Sequence, residues 1–532
     1  MLHHSLALAL LALTALVVIL CLNALPLSDP DEVFYAQTAR EMAQHHSYLT
    51  PLMFGQPQFE KPPLTYWCLM ASFKVFGLTP WSARLIPALF GLLGALASYG
   101  FGRRVMPRVT AALAAAIQAS AMVYLGQAIA LLTDMVFTSL IVVSMWGFYL
   151  WFSQRREGPL YLFALAAGLA VLTKGPVGII VELLAIGAFL LVVKRREALR
   201  SFLLHPWWLV FLIVAAPWYL YATLTYGRAF TWEFLVHDNW HRILAAEHTN
   251  FDNQYFYPAV IILGMFPWTP LLAFLGAGWK KHRELATFLA MWFLAVYLIF
   301  AIAHSKLASY ILPLFPALAI ALALSLDALD GARRRTVAAA ALFVLFGAGL
   351  VAAPFLVKRP LAVEVRPLLL VLAAFGVVQI ACGILLLLRR LTPVLVLNTA
   401  GFLGVVLAGA MSLPASAIAG FTDADTARIV AEHGLAGRTI VASKLYARGV
   451  YFHSGNPIAV MDNRPNPFWS PHPVEVLWQD DQIRKFFDGR DKVLCVVRPG
   501  DVERLDRLFA GARSTTVLSN AFERMVVLSV KN

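Results

Sequence analysis

Charge is what this 532-residue sequence has least of: Asp, Glu, Lys and Arg together make up 14% of it. Soluble globular chains carry about 25%. The shortage excludes a disordered chain and a nucleic-acid-packaging protein, and a mean hydropathy of +0.71 makes a bilayer the main solvent. Acid is scarcer than base, 30 residues against 43, for a net charge of +13. In a soluble protein that balance would suggest an anionic partner; here it must first be assigned to compartments. Four cysteines in so long a chain make no disulfide framework. Cys21 and Cys382 lie in apolar runs, so only Cys68 and Cys495 are left to pair, and we expect them not to. Sequence repeats and low-complexity tracts are also missing. The first apolar run has no basic residues before it and exceeds the roughly 7–15 residues of a cleaved signal, so it reads as a retained helix.

What is present is apolar sequence in long runs. A membrane helix needs about 20 such residues. The spacing predicts thirteen spans, at 5–25, 81–101, 109–129, 133–152, 160–173, 176–193, 205–225, 256–275, 285–303, 307–326, 335–357, 366–388 and 392–411. Thr173-Lys174-Gly175-Pro176 interrupts one long run, so 160–193 reads as two short spans or a re-entrant hairpin.

Lys and Arg in short loops mark the cytoplasmic side. Alternate loops hold Arg103, Arg104 and Arg108; Arg155 and Arg156; Lys194 to Arg200; Lys280, Lys281 and Arg283; Arg333 to Arg335; Arg389 and Arg390. Those loops carry a net +12 of the total +13, which puts the N-terminus inside and the C-terminal tail outside. The other face is nearly neutral, with lysines and carboxylates in comparable numbers.

Two pieces are expected on the outer face. One is the loop 26–80, with short interfacial helices at 31–46 and 63–76. The other is the tail. Its apolar runs Thr439–Ala442, Ile458–Met461, Val493–Val497 and Met525–Val530 alternate with helical patterns near 423–433, 474–488 and 500–511, which reads as a small α/β domain. The expected architecture is a polytopic α-helical membrane domain over 1–415, with outer loops 26–80 and 226–255, and a periplasmic α/β domain over 420–532.

Charged groups in or beside membrane spans are costly and so are functional candidates. Asp29, Asp31, Glu32, Arg40 and Glu41 stand in the first outer loop, followed by Glu60 and Lys61 ahead of Pro62-Pro63. The prolines hold the backbone extended and start the next helix, fixing the height of Glu60 and Lys61. Asp134, Lys174 and Lys306 lie at other outer span ends. Lysines suit a phosphate, and carboxylates suit a base or a cationic group. A lipid phosphate at headgroup height fits such a rim.

At motif level the sequence resembles a known family. Asp31-Glu32-Val33-Phe34-Tyr35-Ala36, Ala39-Arg40-Glu41-Met42 and Phe59-Glu60-Lys61-Pro62-Pro63-Leu64-Thr65-Tyr66-Trp67 look like the first outer loop of polyprenyl-phosphate-dependent glycosyltransferases of the GT-C fold. The nearest resemblance is to the ArnT-like aminoarabinose transferases that modify lipid A, with protein O-mannosyltransferases as distant kin. Leu132-Thr133-Asp134, Thr173-Lys174-Gly175-Pro176 and His304 through Pro313 agree with it.

The resemblance implies an inner-membrane enzyme of lipopolysaccharide modification and polymyxin resistance. It would move a sugar, 4-amino-4-deoxy-L-arabinose, from undecaprenyl phosphate to lipid A on the periplasmic side. It carries over a phosphate-binding lysine to Lys61 and catalytic or acceptor-positioning acids to Asp31 and Asp134. Lys306 and Tyr310 are expected to share a helical face near the phosphate, with Lys174 as a further phosphate ligand. It also implies a divalent metal such as zinc near the cavity, for which Glu60, His241 and His453 have the right chemistry; His237, His248 and His304 are rival ligands. The aromatic loop 226–255, with Trp232, Phe234, Trp240 and Phe251, reads as a lid over the cavity or a static interfacial anchor. Its stretches Arg242-Ile243-Leu244 and Gln254 to Pro258 keep only part of the family pattern.

Two alternatives stay open. The same fold could transfer galacturonic acid or a hexose to lipid or protein. A transporter or flippase of a lipid-linked sugar would place polar groups near the bilayer midplane in repeated, broken helices; here Glu182 and the Gly175-Pro176 break are the only such features. Nucleic acid is not an expected partner.

Overall fold

The computed structural model of the chain describes residues 4–232, 234, 253–277, 279–327, 333–356, 366–413, 418, 422–465, 473–521 and 523–532. It divides into two units. The first comprises Met1–Leu22, Lys61–Thr65 and Arg84–Ser412, and the second Asn23–Glu60, Tyr66–Ala83 and Leu413–Asn532. The second unit therefore joins most of the first outer loop to the tail, two stretches that the sequence pattern treats as separate.

The first unit is helical. Among the described residues, eight helices are long and apolar enough to cross a membrane, including His4–Cys21, Pro80–Gly102, Thr133–Gln154 and Trp207–Tyr226. Trp207–Tyr226 leaves Ile213 72% and Leu224 77% exposed, which water would penalise and lipid would not. Thr133–Gln154, by contrast, is buried along nearly its whole length. Gly147 lies on that helix where a Cβ would come within 2.7 Å of the Pro159 carbonyl, so glycine lets the helix Gly158–Lys174 approach.

All thirteen expected segments contain helix, but three are not single continuous helices. Arg108–Ser120 and Met122–Ala128 bend by 67°. Residues 256–275 form the helix Phe256–Gly264, a turn through Pro267, and the 3-10 helix Thr269–Phe274. Residues 307–326 open as a 3-10 turn, Ala308–Ile311, and become α-helical at Leu314, directly after Pro313. Pro313, which has no N–H to donate, sits just ahead of the α-helical start, so apolar length alone overstates this span. Gly158–Lys174 and Val177–Val192 are two short helices, separated at Gly175, whose φ of 97° suits glycine.

In the second unit, the sheet of the tail runs β5-β4-β3-β6-β8-β7, preceded in the chain by the hairpin β1 (Leu52–Met53) and β2 (Gln56–Pro57). The sheet strands are β3 (Ile440–Ser443), β4 (Ile458–Met461), β5 (Glu475–Leu477), β6 (Lys492–Val497), β7 (Arg513–Ala521) and β8 (Arg524–Lys531). β3 to β6 pair in parallel, and β8 and β7 close the edge antiparallel. Both faces are covered: Val441, Cys495 and Val527 pack on one side, Ile440, Ala442 and Val496 on the other. This alternation is the period-two signature of strands between two layers. All four cysteines are free thiols.

The expected helix 474–488 begins instead as β5 and turns helical only at Asp480. Gln479 and Gln482 cap that start reciprocally. The helix Ala447–Ser454 and strand β7 went unforeseen, because one has a glycine and no cap signal and the other is a polar edge strand. In the first outer loop, helices Asp31–Gln44 and Leu64–Phe76 form close to the expected positions.

Candidate functional site

The first unit brings together Asp134, Lys174 and Tyr310. Asp134 sits in the first turn of Thr133–Gln154 and Lys174 in the last turn of Gly158–Lys174, where each charge complements its helix dipole. Lys174 Nζ lies 2.5 Å from Asp134 Oδ1, with side-chain exposures of 11% and 9%. The same ammonium stands 4.8 Å from the centre of the Tyr310 ring and 5.6 Å from that of Phe137. A cation so desolvated between a carboxylate and two ring faces is held by all three.

Lys306 is buried at 5% exposure, beside buried Ser305, while His304 is exposed. The expectation that Lys306 and Tyr310 share a helical face does not hold: Leu307 between them is extended, at φ −128° and ψ 145°. Tyr310 reaches the site from a 3-10 turn, against Lys174. Lys61 is half-buried, in the strap that enters the helix at Leu64 after Pro62 and Pro63.

The second unit holds the other candidates. Asp31 is exposed, as the first residue of the helix Asp31–Gln44. Its neighbour Glu32 is buried and accepts from the backbone N–H and hydroxyl of Ser28 at 2.8 and 2.9 Å. Glu41 accepts from the N–H groups of Phe54 and Gly55 at 3.0 and 2.7 Å, tying the β1–β2 hairpin to this helix. The two acids flanking the motif are thus structural, and Asp31 alone of the three is offered outward.

Glu60 is 2.7 Å from Arg448, both side chains being about nine-tenths buried. The Arg448 guanidinium also lies 4.2 Å over the Phe34 ring. Arg40 repeats the arrangement nearby, stacking 4.8 Å over Phe452 and donating to its carbonyl at 3.1 Å. The helix Ala447–Ser454 therefore grips the first outer loop through two arginines. Sequence reasoning missed Arg448; the signal available was Glu60, a carboxylate fixed by prolines that needed a cation.

His453 lies on the same helix with its Nε2 buried and, among the described residues, without a hydrogen-bond partner. Burial, then the charges of Arg40 and Arg524, hold its pKa down to about 4. Asp29 accepts from the Asp423 backbone N–H at 3.1 Å, and Arg524 bonds Asp423 and Asp425 at 2.5 and 2.6 Å. Gly449 is required here, because any Cβ would collide with the Asp29 carboxyl. Burial and the facing Asp423 carboxylate push the Asp29 pKa well up.

The expected metal ligands fare poorly on this chemistry. Glu60 is engaged by Arg448, and His453 stands among cations, which repel a metal ion. His241, and the rivals His237 and His248, lie outside the described residues, as does most of the loop 226–255, including Trp240, Phe251 and Arg242-Ile243-Leu244. Among the described residues no three His, Cys, Asp or Glu side chains group as a metal site. Glu60, held by Arg448, does not fit zinc as placed, while the buried His453 Nε2 has no hydrogen-bond partner among the described residues.

Comparison with known proteins bears on this geometry. The family profile described as dolichyl-phosphate-mannose-protein mannosyltransferase matches residues 60–221. An Aquifex aeolicus protein of uncharacterised function is 32% identical over 295 residues, 55% of this chain and 58% of that one. The undecaprenyl phosphate-alpha-4-amino-4-deoxy-L-arabinose arabinosyl transferase of Aeromonas salmonicida is 32% identical over 328 residues, 58% of this chain and 57% of its own. The chain thus spans somewhat under three-fifths of the length of these two relatives. The crystal structure of ArnT from Cupriavidus metallidurans bound to undecaprenyl phosphate superposes with a TM-score of 0.81 at 23% identity, over 98% of this chain and 97% of that one. The chain is similar to the ArnT transferases and has the ArnT fold over nearly its whole length.

Proposed function

We propose that this chain is a glycosyltransferase of the bacterial inner membrane, with its N-terminus cytoplasmic and its tail domain periplasmic. It transfers 4-amino-4-deoxy-L-arabinose from undecaprenyl phosphate to lipid A. The observation that carries the reading is the fold match over 98% of the chain to a protein crystallised with undecaprenyl phosphate. The charged groups support it: a strap lysine and a desolvated acid–lysine pair in the first unit, and an exposed acid in the second.

In the reaction, an acceptor oxygen attacks the anomeric carbon and the bond from that carbon to the phosphate oxygen breaks. Undecaprenyl phosphate leaves with the electron pair, so negative charge builds on the phosphate. Lys61 stabilises that charge, and Lys306 adds a second cation. Asp134 and Lys174 neutralise each other, and their role is to hold the Tyr310 ring in place. Asp31 takes the proton if the acceptor is a hydroxyl; if the acceptor is an ionised lipid A phosphate, Asp31 orients the sugar amine instead. No step runs through a metal. Zinc binding by Glu60 would require Arg448 to release it, so metal content is measured alongside activity.

The test is to incubate purified protein with undecaprenyl-phosphate aminoarabinose and lipid A and to follow the adduct by mass spectrometry. Product formation that survives Lys61→Ala and Asp31→Ala would sink the residue assignments. Transport of the donor across vesicles without its consumption would replace the enzyme reading by that of a flippase. A second reading, hexose transfer to protein, is favoured by the mannosyltransferase profile over residues 60–221. Supplying mannosyl and galacturonosyl donors in the same assay separates it.

A further inference from the structure

We infer that Arg448, in the tail, is a positioning residue for Lys61, acting through Glu60; this rests on the reading of Lys61 as the phosphate-binding cation. Three observations carry it. Glu60 precedes Lys61 directly, and Pro62 and Pro63 follow, so the backbone through Lys61 has little torsional freedom. Fixing the Glu60 carboxylate then fixes the direction in which Lys61 leaves the strap. The carboxylate is fixed from one side by Arg448 at 2.7 Å, and the Glu60 N–H donates to Gln58 Oε1 at 2.9 Å.

Arg448 is itself immobilised. It is 8% exposed and stacked over Phe34 of the helix Asp31–Gln44, so its planar fork is oriented before it meets Glu60. Arg40, on that same helix, clamps the far end of Ala447–Ser454 at the Phe452 carbonyl. The contact is also chemically exacting. A nine-tenths-buried ion pair contributes little to net stability compared with apolar packing, but it fixes geometry and is costly to break on one side. A surface salt bridge would do neither.

The pair also assigns a task to the tail, whose sequence carries no motif of its own. Through Arg448 the α/β domain holds Glu60, the residue that directly precedes the phosphate-binding lysine.

The experiment uses the full-length protein in detergent, with Arg448→Gln, Arg448→Lys, Lys61→Ala and the double variant Lys61→Ala/Arg448→Gln. Two readouts are taken. The first is the melting-temperature rise on adding undecaprenyl phosphate, with undecaprenol as the phosphate-free control. The second is the rate at which an acylating reagent labels Lys61, with Lys281 as internal reference.

Arg448→Gln is expected to weaken phosphate-lipid binding at least several-fold and to change Lys61 labelling with Lys281 unchanged. Arg448→Lys is expected to restore part of both. In the Lys61→Ala background, Arg448→Gln is expected to weaken binding no further. Equal losses from Arg448→Gln with and without Lys61, or unchanged Lys61 labelling, would overturn the inference and leave Arg448 a purely structural residue. Failure of the wild type to distinguish the phosphate from the alcohol would instead remove the functional reading, and the labelling arm would still decide whether Arg448 positions Lys61.

Discussion

Lys174 and Asp134 meet at 2.5 Å from the ends of two different helices, and the Tyr310 ring caps the ammonium from a third segment. The pair is formed inside the first unit, where neither partner has ready access to water. Removing one partner leaves the other as an uncompensated buried charge, at a cost of about 3–5 kcal/mol. Asp134→Asn and Lys174→Met are each expected to lower the melting temperature sharply, and the double variant to recover most of the loss. Transferase activity is expected not to recover with it. Recovery of activity in the double variant would mean that the pair serves packing alone.

Lys61 is read as acting on the donor phosphate, and its loss tests that role apart from the fold. It is half-buried in a strap, outside the regular elements. Removing one group that stabilises developing negative charge costs about 10²–10³ in rate. Lys61→Ala is expected to lower product formation by about that factor with the melting temperature within a degree or two of wild type. Lys61→Arg keeps the charge but changes its shape, and an intermediate rate is expected. A large melting shift in Lys61→Ala would place the residue in the scaffold instead.

Much of this could be read from the residues. Among the described residues, apolar runs located the eight helices long and apolar enough to cross a membrane to within a few positions, since lipid leaves the backbone no option but helix. The Glu60-Lys61-Pro62-Pro63 strap and the Asp134 and Lys174 helix ends were legible because charge beside apolar sequence is rare. Long-range pairing was not legible. Nothing local says that Lys174 faces Asp134, forty residues away, or that Glu60 meets Arg448 across most of the chain. Periodicity also misled at Lys306 and Tyr310, where an i to i+4 argument presumes a helix that Pro313 starts too late to include. In the tail, a cap-free helix such as Ala447–Ser454 leaves no signal until its arginines are seen against their partners.

Acid should act on the second unit through His453. Its pKa, ordinarily 6.5, is held down to about 4 by burial and by Arg40 and Arg524. The unfolded chain therefore binds the proton first. The stability associated with neutral His453 is present above pH 6.5 and is lost as pH falls towards 4, up to about 3 kcal/mol in all. His453→Gln, which cannot charge, is expected to flatten this acid limb in melting curves of the full-length protein. An unchanged acid limb would exclude His453 as its source.

Base should act on the same unit through Asp29, with the opposite sign. Burial and the neighbouring Asp423 carboxylate raise the Asp29 pKa well above its ordinary value. Asp423, also buried, is pushed up to about 6 even though it faces Arg524. Arg524 neutralises Asp423 directly at 2.5 Å, so the shared proton resides on Asp29. A carboxyl with a raised folded pKa contributes stability that is complete in acid and is lost as pH rises through that pKa, because the unfolded chain releases the proton first. The Asp29 contribution to the melting temperature is therefore expected to fall as pH rises above 3.8, the ordinary value of that carboxyl in the unfolded chain, towards its raised folded value. Asp29→Asn keeps the shape and the donor of the protonated acid without the charge. It is expected to melt higher than wild type on the alkaline side and about equally on the acid side. If Asp29→Asn melted lower at every pH, the ionised carboxylate would be the native form and the proton would belong elsewhere in the cluster.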